Sequence, residues 1–213
     1  MRTDDLVTML ATGAGTAQPN PPARRYAIAV GWGALGAALL MATLLGPRPD
    51  LAAALLRPML WVKLAFVASL FAASLLALLR LSRPGLPLAG LARALGAPVL
   101  AIWLLALIAL ARADAAQRTV LFFGDTWNSC PFLVALLSAP AFIAVMWAMQ
   151  GMAPTRLRLA GAAAGLFSAT IGALLYSVHC PEQGAPFIAF WYLLGMLIPT
   201  ALGALLGPRL LRW

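Results

Sequence analysis

Six stretches of roughly twenty apolar residues decide what this chain can become. They lie at 26–45, 60–79, 95–111, 132–149, 159–178 and 187–206. A segment of ~20 such residues crosses a bilayer core of ~30 Å as a helix, and inside that core only a helix or a closed barrel satisfies its own backbone. The sequence therefore predicts an all-α integral membrane protein with six transmembrane helices arranged as three hairpins. Composition agrees: 63% of residues are hydrophobic and 10% are charged. The third and fourth stretches are the shortest, and Pro98 and Pro140 blur their edges. No connection is long enough to hold a soluble domain. Two regions result: an N-terminal segment, 1–25, and a transmembrane domain, 26–213.

The net charge of +9 is spread over the loops. Direct binding to nucleic acid is not expected, because no basic face concentrates it. The excess of Lys and Arg in loops on the cytoplasmic side explains it instead. With the N-terminus in the cytoplasm, the inner segments carry Arg2, Arg24, Arg25, Arg80, Arg83, Arg93, Arg156, Arg158, Arg209 and Arg212. The outer side holds Arg48, Arg57, Arg112 and Arg118, with Lys63 inside a span. Six spans then leave both termini cytoplasmic. The first span starts too late and lacks the cleavage site of a signal peptide.

In the polar N-terminal segment, Thr3 is placed to cap a short helix with Asp4 and Asp5 in its first turn. Leu6, Val7, Met9 and Leu10 follow as an apolar stripe. Gly13, Gly15 and the prolines at 19, 21 and 22 end it and tether it to the first span. Two readings stay open: a helix resting on the membrane, or a peptide that folds against a cytoplasmic partner.

Within the spans, glycines supply small faces. The first carries Gly31, Gly33 and Gly36. The fifth has a GxxxG at Gly161 and Gly165, and the sixth a stripe at Gly195, Pro199, Gly203 and Gly207. Small residues let helix backbones approach closely in a membrane. The fifth span is thus expected at the centre, packed on the fourth or sixth. Lys63 is the one charge inside a span. It can snorkel to the outer interface or pair with Asp50, Asp125 or Glu182. The run 120–127 suits a segment lying in the interface, with Trp127 as a belt residue.

Chemistry is scarce. No Asp, Glu, His, Asn or Gln lies within a span, which argues against proton-coupled transport. A lone His cannot furnish a haem pair or a zinc triad, and no nucleophile–base set is visible, so no enzyme and no resident cofactor are expected. What remains is the cysteine pair. Cys130 and Cys180 are the only cysteines, each precedes a proline, and each stands where a span ends. Counted from the turn at Pro154, the two lie at matching heights on antiparallel helices, within about one turn. One reading is a structural disulfide clamping the fourth and fifth spans. The other is a sensor. Two thiols beside His179 make a soft S,S,N set suited to Cu(I), Zn or Cd, and the thiols are also oxidisable.

Several motifs resemble the NrsF-type family, negative regulators of sigma F. They are Cys-Pro at 130, Leu-Ser-x-Pro at 137–140, Ala-Pro-Thr-Arg-Leu at 153–157, Leu-Ala-Gly-Ala at 159–162 and His-Cys-Pro-Glu at 179–182. Trp-Tyr-x-Leu-Gly at 191–195, the ending Gly-Pro-Arg-Leu-Leu-Arg-Trp and the opening Thr-Asp-Asp-Leu complete the set. The resemblance implies a six-span inner-membrane anti-sigma factor that sequesters an extracytoplasmic-function sigma factor. It implies that the segment from Thr3 to Leu10 docks that partner. It also implies that Cys130 and Cys180, on the periplasmic side, sense metal or oxidant stress. A role for His179 as a ligand rests on proximity alone. The rival function is a small transporter or metal-handling protein. The oligomeric state is left open.

Overall fold

The computed structural model describes residues 2–13, 22–83, 85–152 and 154–212. Gly15 and the tether prolines at 19 and 21 lie outside the described residues, as do Ala153 and Trp213 of the motifs. Among the described residues every regular element is helical. A first helix, α1 (Thr3–Gly13), precedes α2 (Pro22–Leu40), which ends in a π-helical turn, Met41–Leu45. Then follow α3 (Leu51–Leu55), α4 (Pro58–Leu81), α5 (Leu91–Arg112) and α6 (Ala115–Phe123). The chain closes with α7 (Cys130–Gln150), α8 (Leu157–Tyr176), the short α9 (Ala185–Phe187), a second π-helical turn at Ile188–Tyr192, and α10 (Leu193–Leu210). Six helical stretches are long and apolar enough to span a membrane, and they coincide with the six expected. Pro98 and Pro140 lie inside helices rather than at their edges. Membrane helices tolerate this because neighbouring helices and local adjustments satisfy the freed carbonyls.

The small-residue helix α8 is the axis of the bundle. In its most apolar stretch 72% of α8 residues are buried, against 11% for α5. It packs most extensively on α10 and then on α7, with α4 on a third side. A methyl group on Gly161 would overlap the Gly203 carbonyl, and one on Gly165 would overlap that of Pro199. The α8–α10 seam is thus held at backbone contact. Gly195 does not belong to it. A methyl there would meet Val134 Cβ at 2.9 Å and Pro131 Cα at 3.1 Å, both on α7. The cause is geometric: residues four apart drift ~40° per step around a helix of 3.6 residues per turn. A row from 195 to 207 therefore changes the neighbour it faces. A methyl group on Gly33 would come within 2.6 Å of Ala141 Cα, so this glycine lets α2 close on α7, whereas Gly31 faces open space.

In α1 the cap differs from expectation. Thr3 is already helical, and the Arg2 backbone N–H donates to the Asp5 carboxylate at 3.3 Å. That is half of a capping box, with Asp5 rather than Thr3 supplying the side chain. The hydroxyls of Thr8 and Thr12 are spent on carbonyls one turn back, Asp4 and Thr8, each at 2.8 Å. Leu6, Val7, Met9 and Leu10 are all exposed.

Candidate functional site

The alternation of six spans puts Cys130 and Cys180 at the end of the bundle away from the start of α2. Cys130 is the first residue of α7, where Pro131 fits because its missing N–H has no helical partner to lose. Cys180 follows the last turn of α8, its N–H donating to the Tyr176 carbonyl at 2.9 Å. Pro181 then prevents further helix. Both thiols are fully buried and both are free. The two side chains lie in one buried cluster, close enough that each acts on the other's proton affinity. The matched heights read from the sequence are therefore met in space, and the clamp stands unformed between adjacent thiols.

The surroundings are polar for a membrane protein's interior. Lys63, from the second turn of α4, is wholly buried. Its ammonium donates to the Glu182 carbonyl at 3.1 Å, lies 4.4 Å from the centre of the Tyr192 ring and interacts with the Cys180 side chain. It does not snorkel, and none of the three expected carboxylates pairs with it. Two of those carboxylates are engaged elsewhere, and Asp125 is exposed. Asp50 holds Arg48 through two bonds of 2.6 Å, and Glu182 accepts the Asp125 N–H at 2.8 Å. Lys63 turns inward because the sulfur, the aromatic face and the carbonyl together offer partners that the lipid side lacks.

Hydrogen bonding to Cys130 lowers the affinity of Cys180 for its proton, and the Lys63 charge adds to the effect against opposing burial. Cys180 is thus the thiol predisposed to act as thiolate. Arg48 ties the site's rim together. Hydrogen bonding to Asp50 holds its guanidinium above the usual range and the Asp50 carboxyl below its own. Its other arm donates to the Cys180 carbonyl at 3.3 Å.

Tyr176 and Tyr192 wall the thiols, their rings 5.8 Å apart. The Tyr192 hydroxyl is buried without a well-formed hydrogen bond. Tyr192 ends the second π-helical turn, and such turns recur at functional sites. Sequence reading gave neither tyrosine a place at the thiols, although Tyr192 stands in one of the family motifs. Only three occur in the chain, and a phenol within an apolar span was the available signal.

His179 is not gathered with the two sulfurs into a metal-holding set. Among the described residues no three His, Cys, Asp or Glu side chains group in that way. The His179 Nδ1 is 2.9 Å from the Gly46 carbonyl, which fixes the ring toward the 46–50 loop. The expected S,S,N set reduces here to two sulfurs. Beside the site, Phe122, Phe123, Trp127, Phe190 and Trp191 stack in mutual contact. The Trp191 indole N–H donates to the Phe122 carbonyl at 2.9 Å, which binds α6 to the start of the last span.

At the opposite end, Arg25 of α2 donates to the Trp147 carbonyl at 3.2 Å and lies 4.7 Å from its ring centre. The helix that begins with Cys130 thus ends under the arginine that leads back toward α1.

The family model described as negative regulator of sigma F matches residues 10–213. A protein of Azospira oryzae called probable anti-sigma-F factor NrsF is 58% identical, with each chain covered in full. The anti-sigma-F factor NrsF of Caulobacter vibrioides is 43% identical, again over the whole of both chains. No solved structure matches. With its six spans, its paired thiols and these full-length relatives, the chain belongs to the NrsF family of negative regulators of sigma F.

Proposed function

We propose that this protein is an anti-sigma factor of the bacterial inner membrane that keeps an extracytoplasmic-function sigma factor from RNA polymerase. A thiol-reactive signal, a soft metal ion such as Cu, Zn or Cd or an oxidant, releases the sigma factor. The observation that carries the reading is the pair of free, neighbouring thiols buried at one end of the bundle. Such a pair is idle as long as it is protonated and becomes a cross-link when oxidised or metal-bridged. At the other end of the chain stands a helix whose apolar stripe has no cover. The names of the full-length relatives supply the partner: one is called an anti-sigma-F factor and the other a probable one.

In this reading α1 docks the sigma factor with Leu6, Val7, Met9 and Leu10, and Asp4 and Asp5 favour its first turn. The termini lie in the cytoplasm and the cysteines in the periplasm. Reaction at Cys130 and Cys180 shifts α7 against α8. To act as a switch, that shift must change sigma affinity by about a hundredfold, or ~2.8 kcal/mol.

Two measurements test it. Replacing Leu6 and Leu10 by Asp is expected to abolish co-purification of the sigma factor with the full-length protein; undiminished capture would remove the docking assignment. Replacing Cys130 and Cys180 by Ser is expected to fix sigma-dependent transcription at one level in the presence of cadmium, copper or oxidant. A normal response in that variant would end the sensor role while leaving the docking role standing.

A further inference from the structure

At the end of the bundle where α2 begins and α10 ends, a pocket of about 310 Å³ is lined by Arg80, Arg83 and Arg156 together with Leu81, Leu86 and Leu88. No described carboxylate lines it. Arg80 is fixed at the wall, donating to the Ala89 carbonyl at 2.9 Å and the Pro87 carbonyl at 3.5 Å. The guanidinium groups of Arg83 and Arg156 make no hydrogen bond or ion pair to any described residue, and both residues are exposed. Three like charges converging on one pocket repel each other. Topology asks only for positive loops; it does not ask that arginines from the loop after α4 and from the start of α8 share a cavity. The arrangement calls for an anion.

Depth indicates which one. α4 has 24 residues. At ~1.5 Å per residue it spans ~36 Å, more than a hydrocarbon core of ~30 Å. Arg80 in its last turn and Arg156 just before α8 therefore stand at the level of lipid headgroups. Guanidinium groups match phosphate oxygens in pairs. The leucines beside them offer an apolar rim, which suits the glycerol and upper acyl segment of a lipid. A folded protein partner would have to displace headgroups to reach the same place.

We propose that Arg80, Arg83 and Arg156 form a binding site for the phosphate of an anionic phospholipid, which braces the 85–90 loop against the start of α8. This site is independent of the cysteine pair and of the sigma-binding reading.

The test uses the full-length protein in nanodiscs of phosphatidylcholine, alone or with phosphatidylglycerol added. The double variant Arg83→Gln/Arg156→Gln leaves the Arg80 contacts in place. By native mass spectrometry, wild type is expected to retain phosphatidylglycerol about tenfold over phosphatidylcholine, and the variant to lose that preference. Thermal unfolding in phosphatidylcholine alone should be the same for both, and added phosphatidylglycerol should raise the midpoint of wild type only. Equal retention by variant and wild type overturns the proposal, as does a wild type without preference. Inorganic phosphate stabilising wild type in phosphatidylcholine nanodiscs as well as phosphatidylglycerol does would assign the pocket to a soluble phosphate instead. Weakened sigma-factor capture by the variant in phosphatidylcholine alone would assign it to an acidic protein surface.

Discussion

Lys63 shows how one side chain sets the chemistry of another. Among the described residues it is the one charged side chain with no exposure, and Cys180 is its softest partner. Replacing it with Met keeps the length and removes the charge. The thiolate absorbance of the pair is then expected to emerge at higher pH than in wild type, in titrations followed near 240 nm. An unchanged titration would show that the Lys63 charge is not needed for the lowered proton affinity. The linkage has a definite sign. Because the Cys180 thiol holds its proton less tightly when folded, its stabilising contribution is complete above the ordinary thiol value of ~8.5 and fades as pH falls through the folded value. The presence of Lys63 was plain in the sequence, but its inward direction was not. Residue spacing gave it three carboxylates to choose from, and the fold gave it a sulfur, a ring and a carbonyl.

Among the elements, α8 bears the packing. Its seam with α10 closes on Gly161 and Gly203, where each backbone carbonyl fills the space of the other's missing side chain. Gly203→Ala must push the helices apart, at a cost of ~1–3 kcal/mol. The expected result is a clear loss of thermal stability in detergent. Gly96→Ala is the control: nothing lies within 4 Å of the added methyl, and α5 is helical there. That change should be neutral or stabilising by ~0.5–1 kcal/mol. If the two variants unfold alike, the seam is not what holds α8. The GxxxG pattern announced a close contact, yet it could not name the partner helix. Gly195 illustrates why, since it shares a spacing with Gly203 and faces a different neighbour.

For the whole molecule, the two ends are connected by α7. It starts at Cys130 and ends where Arg25 grips Trp147, and Arg25 belongs to the helix that follows α1. A shift of α7 against α8 at the thiols reaches this grip through one continuous helix, which gives coupling a physical course. Arg25→Gln removes the cation and keeps a donor. Under the anti-sigma reading, sigma capture in unstressed membranes is expected to persist, while its release by cadmium falls severalfold. Release at the wild-type level in that variant would send the coupling through another helix. Such a route was invisible beforehand, because Arg25 reads as one of many loop arginines obeying membrane topology.

The sequence by itself determined the number of spans, their limits to within a few residues, the all-helical class and the pairing of two cysteines at one end. These follow from local hydropathy and from counting residues along helices, and neither needs to know what a helix touches. Only the tertiary structure decided that Lys63 points at Cys180, that Gly195 leaves the α8 seam, that His179 turns to Gly46, and that three arginines share a pocket. Each of these depends on the rotation of a helix about its own axis. All its neighbours fix that rotation together by packing, so no stretch of the chain encodes it alone.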